Sequence, residues 1–256
     1  MFKVVIPARF ASTRLPGKPL LPVAGKPMIQ WVHERATQSG AEEIWIATDD
    51  QRIADACGAF GAAVMLTSAS HASGTDRIAE VAIRNRWGER EIVVNVQGDE
   101  PLIPQLLIRQ VAELVVTNPL AGVATLATPI RSLAEFLDTN VVKVARAADN
   151  RALYFSRAPI PWIRDGAPSG LPSQSRFAGA LRHLGLYAYR VDALTRLAAL
   201  PPSDLEIAEK LEQLRALENG IGIAVGVTQQ MPGPGVDTPA DLERAASLLS
   251  GERSAG

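Results

Sequence analysis

The sequence holds a single cysteine, Cys57. That excludes an intramolecular disulfide and any multi-cysteine metal site, and it fits a reducing compartment. Cys57 falls in a segment of helical pattern, where a small core residue is expected. An excess of either charge is also lacking. Lys and Arg number 26 against 27 Asp and Glu, a net charge of −1, so there is no global basic field of the kind that nonspecific nucleic-acid binding requires. Basic groups must act locally. The longest apolar stretch, Leu106 to Ile130, is interrupted by Arg109, Glu113, Asn118 and Pro119, which excludes an uninterrupted membrane span. Phe2 to Ile6 is too short for a secretory apolar region, and the expectation is a cytoplasmic protein. His33 and His71 have no metal-ligand spacing with His183. Neither a Walker A sequence nor G-x-G-x-x-G opens the chain, so an ATPase and a dinucleotide-binding dehydrogenase are left without their usual signatures.

Over 256 residues, a hydrophobic content of 47% suffices for a sizeable core. Phe2 to Ile6 reads as a buried strand stopped by Pro7, which cannot donate to a sheet ladder. A helix is expected from Pro27 to about Ser39, with Met28, Ile29 and Val32 on one face. The pattern then alternates. Ile44–Ala47 predicts a strand and Gln51–Phe60 a helix, followed by a strand over Ala63–Leu66 and a helix from about Asp76 to Arg86. A further strand over Ile92–Val96 and a helix over Gln105–Val116 complete the run. Such alternation predicts an α/β fold with a mainly parallel sheet, helices on both faces and ligands at the carboxyl ends of the strands. Beyond Gly122 the strands near 123–127, 141–147, 152–155 and 184–189 have few helices between them, which predicts a smaller antiparallel subdomain or a subunit contact surface. The Gly/Pro/Ser-rich segment 164–175 reads as a surface loop, either a lid or a linker. Ser203 and Glu206 have capping-box spacing and open a charged helix expected to reach Glu218. A late strand is expected over Ile221–Val227. Thr238, Pro239 and Asp241 start a last helix, with a frayed tail from Ser250.

The chemistry gathers first at MFKVVIPARFASTRLPGKPLL, Met1 to Leu21. Small residues, Ala8, Ala11, Ser12, Thr13 and Gly17, alternate with the cations Arg9, Arg14 and Lys18. At the carboxyl end of a strand, such a loop brings backbone N–H groups and cationic side chains onto phosphate oxygens. It reads as a polyphosphate cradle; the alternative is a surface loop with solvated cations. Asp99, in the turn QGDEP directly after a buried strand, suits a Mg²⁺ held beside a triphosphate, with Glu100 as its neighbour. The alternative is a turn former or helix cap. Asp237, in GPGVDTP, is a second metal candidate and equally a helix-start carboxylate favoured by the macrodipole.

The skeleton PARxxSxRLPGKPL closely resembles the amino-terminal signature of sugar-acid cytidylyltransferases, in particular the 3-deoxy-manno-octulosonate (KDO) branch. Six further blocks follow in register: SHASGTDR (Ser70–Arg77), VVNVQGDEP (Val93–Pro101), YFSRAPIPW (Tyr154–Trp162), RHLGLYAYR (Arg182–Arg190), LEQLRALENG (Leu211–Gly220) and GVDTPADL (Gly235–Leu242). The resemblance implies a Rossmann-like nucleotidyltransferase fold, one domain over 1–256 with a sugar-acid-binding and dimerisation subdomain around 130–190. It implies transfer of CMP from CTP to KDO for lipopolysaccharide synthesis, by a cytoplasmic homodimer using Mg²⁺. Ala8, Arg9 and Lys18 are then expected on the CTP phosphates, with Ser73, Gly74 and Gln97 around cytosine and ribose. Lys18, Asp99 and Asp237 become the catalytic residues, and Asp99 and Asp237 the metal ligands. Arg157, His183, Tyr187, Glu212 and Gln213 are expected on the sugar acid. Each also has an ordinary reading: loop and helix cap for the SHASGTDR block, a surface cation for Arg157, a structural histidine for His183, a core tyrosine for Tyr187, and a solvated helix face for Glu212 and Gln213. Another sugar acid as acceptor, or a noncatalytic CTP-sensing protein, are the alternatives to the KDO reaction.

Overall fold

The computed structural model describes residues 1–11 and 15–254. Ser12, Thr13 and Arg14 of the cradle lie outside the described residues, as do the last two residues of the tail. In chain order the elements are β1 (Lys3–Ala8), β2 (Pro22–Val23), β3 (Lys26–Pro27), α1 (Met28–Gln38), β4 (Glu43–Thr48), α2 (Gln51–Ala59), β5 (Ala63–Leu66), α3 (Gly74–Arg84) and β6 (Ile92–Asn95). There follow α4 (Gln105–Thr117), β7 (Val123–Pro129), α5 (Leu133–Leu137), β8 (Lys143–Arg146), β9 (Ala152–Ser156), β10 (Leu181–Arg190), α6 (Val191–Ala199), α7 (Asp204–Glu209), α8 (Gln213–Glu218), β11 (Ile223–Val227) and α9 (Pro239–Ser254).

The main sheet runs β11-β7-β10-β6-β1-β4-β5, with β8 and β9 added beside β10. β1 pairs in parallel with both β4 and β6, and β5 continues the parallel set. The exception is β10, antiparallel to both β6 and β7. β7 and β10 therefore belong to the main sheet, and the antiparallel appendage is narrowed to β8 and β9. The central strands β1, β6 and β7 are almost wholly buried because both faces are covered. Val4 and Ile6 point to one layer with Ile29, Val32, Ile53, Leu107 and Val111. Val5, one residue out of phase, points to the other with Ile78, Val81, Leu194 and Leu214.

Three local expectations change. β1 continues through Pro7, paired with Ala47. Val5 accepts from Val96 N on the β6 side, so by alternation the absent N–H of Pro7 also faces that side, where pairing with β6 has ended. Pro27 precedes α1 as its cap residue rather than opening it. The charged helix from Ser203 is two helices: α7 stops at Lys210, which is left-handed at φ 55°. Arg215 in α8 folds back onto Glu206 of α7 with paired bonds of 2.7 and 2.6 Å. This bidentate pair fixes the bend and sets Glu212 and Gln213 at the start of α8. Ser203 does cap α7 as its spacing predicts, and Thr238 with Asp241 forms the reciprocal pair that opens α9.

Cys57 is fully buried in α2, and burial pushes its thiol up to about 12. The native protein is therefore expected to leave a thiol reagent such as Ellman's unreacted at pH 8 and to react once unfolded in guanidinium. Full reaction of the folded protein within minutes would contradict this packing.

Candidate active site

One cavity opens at the carboxyl ends of β1 and β6, and a second lies on the face of the sheet covered by α3, α6 and α8. The larger, about 430 Å³, is lined by Pro7, Ala8, Arg9, Ala11, Lys18, Pro19, Gln97, Gly98, Asp99 and Asp237. Its floor needs glycine at position 98: a Cβ there would stand 2.9 Å from the Pro7 carbonyl oxygen and 3.3 Å from Ile29 Cδ1. That close approach lets the loop after β6 lie directly on the loop after β1. Gly17, at φ 68°, turns the cradle back on itself, and its N–H donates to Phe10 O at 3.1 Å. Lys18 is thereby aimed inward.

The Lys18 ammonium donates to Asp99 Oδ2 at 2.7 Å, Val236 O at 2.9 Å and Asp237 Oδ1 at 3.2 Å. Three segments separated widely in sequence meet on one nitrogen. Val236 N also donates to Asp99 O at 2.9 Å, which fastens the GPGVDTP turn to QGDEP. Burial pulls the Lys18 ammonium down, but its bonds and charge contacts with Asp99 and then Asp237 outweigh this and hold it above its ordinary value. The neighbouring Glu100 carboxyl is pushed up to about 7, by burial first and by the Asp99 charge second. Arg9 donates to His71 O at 3.0 Å, tying the cradle to the SHASGTDR loop.

The smaller cavity, about 110 Å³, is lined by Thr75, Val123, Tyr187, Tyr189, Leu197, Glu212, Gln213, Ala216 and Ile223. The Tyr187 ring lies 5.3 Å from that of His183. Tyr187 is the register partner of Asn95 on β6, two residues before Gln97, so the smaller cavity flanks the strand that leads to Gln97 and Asp99. The first turn of α3 connects the two cavities. Gly74 packs on Pro7, where an added Cβ would lie 3.5 Å from Cγ, and Thr75 Oγ1 donates to Glu212 Oε2 at 2.9 Å.

The sequence-predicted residues thus fall into three groups. Ala8, Arg9, Lys18, Gln97, Asp99 and Asp237 line the larger cavity together. Tyr187, Glu212 and Gln213 line the smaller, with His183 against Tyr187. Ser73, Gly74 and Arg157 line neither. Ser73 caps α3 in a reciprocal pair with Asp76, the ordinary reading of its block. Arg157 donates to Glu209 O at 2.7 Å and Thr139 O at 3.0 Å. Its own carbonyl accepts from the fully buried Lys143 at 2.6 Å.

His183 has a determined tautomer. Thr125 Oγ1 has one proton and lies 3.0 and 2.8 Å from the carbonyls of Leu184 and Leu186. It therefore accepts from His183 Nε2–H across 3.0 Å, leaving Nδ1 as an acceptor. Burial pushes the imidazole from its usual 6.5 down to about 3. The unfolded chain binds a proton between these values that the folded one refuses, so stability falls as pH drops through 6.5. The difference in Tm between the wild-type protein and His183→Gln should accordingly narrow from pH 7.5 to pH 5. A constant or widening difference would show that His183 is protonated in the folded state.

Thr75, Tyr189, Glu209 and Lys143 complete the surroundings and were not singled out from sequence. Thr75 sits in a quoted block but reads there as an ordinary first-turn threonine. Lys143 carries no signal, because its partners are the backbone oxygens of Asp138, Val141 and Arg157.

A sequence profile described as cytidylyltransferase matches residues 3–223. The chain is 56% identical over 248 residues to the 3-deoxy-manno-octulosonate cytidylyltransferase of Thioalkalivibrio sulfidiphilus, covering 97% of this chain and 98% of that one. It is 53% identical over 253 residues to the enzyme of the same name from Halorhodospira halophila, covering 98% of each. Among solved structures, CMP:2-keto-3-deoxy-manno-octonic acid synthetase complexed with CTP superposes with a TM-score of 0.87 at 44% identity, over 98% of this chain and 100% of that one.

Proposed function

The chain belongs to the cytidylyltransferase family, and from that premise we infer that it transfers CMP from CTP to the anomeric 2-hydroxyl of KDO, giving CMP-KDO and pyrophosphate. The observation that carries the reading to this site is the convergence of Lys18 on Asp99 and Asp237, in a cavity that the phosphate-cradle loop also lines. Lys18 and Arg9 receive the phosphates in this reading, and Gln97 offers an amide to the nucleoside. Tyr187, Glu212 and Gln213 receive the sugar hydroxyls across β6.

The donor set fits Mg²⁺. Asp99 and Asp237 already share one cationic nitrogen, and among the described residues no cluster of three or more His, Cys, Asp or Glu gathers for a metal. Two carboxylates completed by substrate oxygens and water suit a hard octahedral cation. When bound, the ion supplies charge neutralisation to the phosphates and acidifies the attacking hydroxyl. The sugar oxygen attacks the α-phosphorus, its proton leaves to solvent, and the bond to the pyrophosphate oxygen breaks. Lys18 contributes a fixed positive charge to the departing group. The two cavities hold donor and acceptor on either side of one strand, which supplies orientation.

The same reading includes a homodimer, supported by the exposed apolar side chains of Leu153, Trp162 and Ile207 near β9. A cytoplasmic location is also part of it, supported by the unpaired Cys57. No helix among the described residues is long and apolar enough to cross a membrane.

The test is Mg²⁺-dependent pyrophosphate release from CTP with KDO, an amino-substituted KDO, a sialic acid or no acceptor. Release with KDO is expected. Release only with another acid would move the specificity, and CTP binding without release would make the protein a sensor.

A further inference from the structure

Glu212 is held in an unusual way for a carboxylate at the start of a helix. Its Oε2 accepts from Thr75 Oγ1 at 2.9 Å across elements 137 residues apart, while Oε1 lies 3.5 Å from the Arg215 guanidinium. Thr75 is itself 2% exposed, and its single proton is committed to this carboxylate. The Glu212 carboxylate is thus braced from α3 by Thr75 and from its own helix by Arg215, which fixes its rotamer on the wall of the smaller cavity.

We propose that Thr75 is a positioning residue for the sugar-acid acceptor: through its bond to Oε2 it holds the Glu212 carboxylate in the rotamer that meets an acceptor hydroxyl beside Tyr187 and Gln213. The proposal rests on the reading of Glu212 as an acceptor-site residue. It extends that reading by assigning a role to Thr75, which acts through Glu212. It also accounts for the packing of the first turn of α3, where Gly74 abuts the wall of the nucleotide cavity and the next residue aims a group in the acceptor cavity.

The experiment compares Thr75→Val, which keeps the shape and removes the hydroxyl, with Thr75→Ser, which restores it, in the full-length protein with CTP, KDO and Mg²⁺. Thr75→Val should raise KM for KDO about tenfold, the loss of one hydrogen bond to a charged group. KM for CTP should move less than twofold, and Thr75→Ser should return KM for KDO to within threefold of wild type. In a Glu212→Gln background, Thr75→Val should add less than twofold, because the group it positions has already been changed. If Glu212→Gln alone leaves KM for KDO unaltered, the reading of Glu212 fails and the proposal with it. If Glu212→Gln raises KM while Thr75→Val does not, or if serine fails to restore the valine variant, Glu212 stands and the positioning role is overturned.

Discussion

Asp99→Asn is expected to lower kcat by roughly 10³-fold at saturating Mg²⁺, CTP and KDO, with Tm within a few degrees of wild type. The carboxamide has nearly the shape of the carboxylate, so the QGDEP turn and the contact of Asp99 O with Val236 N survive. What is lost is one of the two negative charges that meet at Lys18. An amide oxygen is a weaker ligand for a hard cation than a carboxylate, and it cannot offset the ion's charge. The fold has little reason to suffer, because Lys18 keeps Val236 O at 2.9 Å and Asp237 Oδ1 at 3.2 Å. Initial rates of pyrophosphate release over a Mg²⁺ titration check this. A rate within tenfold of wild type at high Mg²⁺ would remove Asp99 from the metal site.

Lys18→Ala is the second large effect, expected to reduce kcat/KM for CTP by about 10²- to 10³-fold. The lysine side chain is 15% exposed, against 36% and 52% for the aspartates it bridges. It is thus the most enclosed of the three charges in this cluster, where a fixed cation has most influence on a phosphate. Lys18→Arg should recover little of the loss. A planar guanidinium is larger than the ammonium that fits between two carboxylates and a carbonyl, and its donors fan out in one plane. An unchanged kcat/KM for CTP in the alanine variant would place phosphate stabilisation elsewhere, with Arg9 the next cation on the cavity wall.

The parts of this account that were legible in the sequence are those set by local chemistry. Alternating apolar runs and capping residues gave most of the parallel sheet and its helices, because burial on both faces leaves a direct mark on each strand. The insertion of β10 between β6 and β7 left no such mark, since strand order is fixed by contacts between distant segments. The bend at Lys210 was hidden for a related reason. Lysine has no preference for the left-handed region, and the conformation is held by the Arg215–Glu206 pair rather than by a turn residue.

The candidate site divides in the same way. The cradle loop and Asp99 stand out as small residues, cations and a carboxylate immediately after strands. That Asp237 meets Lys18 is a consequence of topology, and only the family resemblance pointed to it beforehand. The acceptor side was less legible still. Tyr187, Glu212 and Gln213 have ordinary surroundings in sequence, and Thr75 acquires its interest only when α8 is seen to bring Glu212 against it.

The central claim, attack of the sugar's anomeric oxygen on the α-phosphorus of CTP in this cavity, is tested most directly by following the oxygen. The reaction would be run with Mg²⁺, CTP and KDO pre-equilibrated in ¹⁸O-water, and the phosphorus of the product read by ³¹P NMR. The account predicts CMP-KDO whose phosphorus shows the isotope shift of one bridging ¹⁸O, together with unlabelled pyrophosphate. An unlabelled ester would mean that the sugar C–O bond had broken instead, and no ester at all would contradict the assigned reaction.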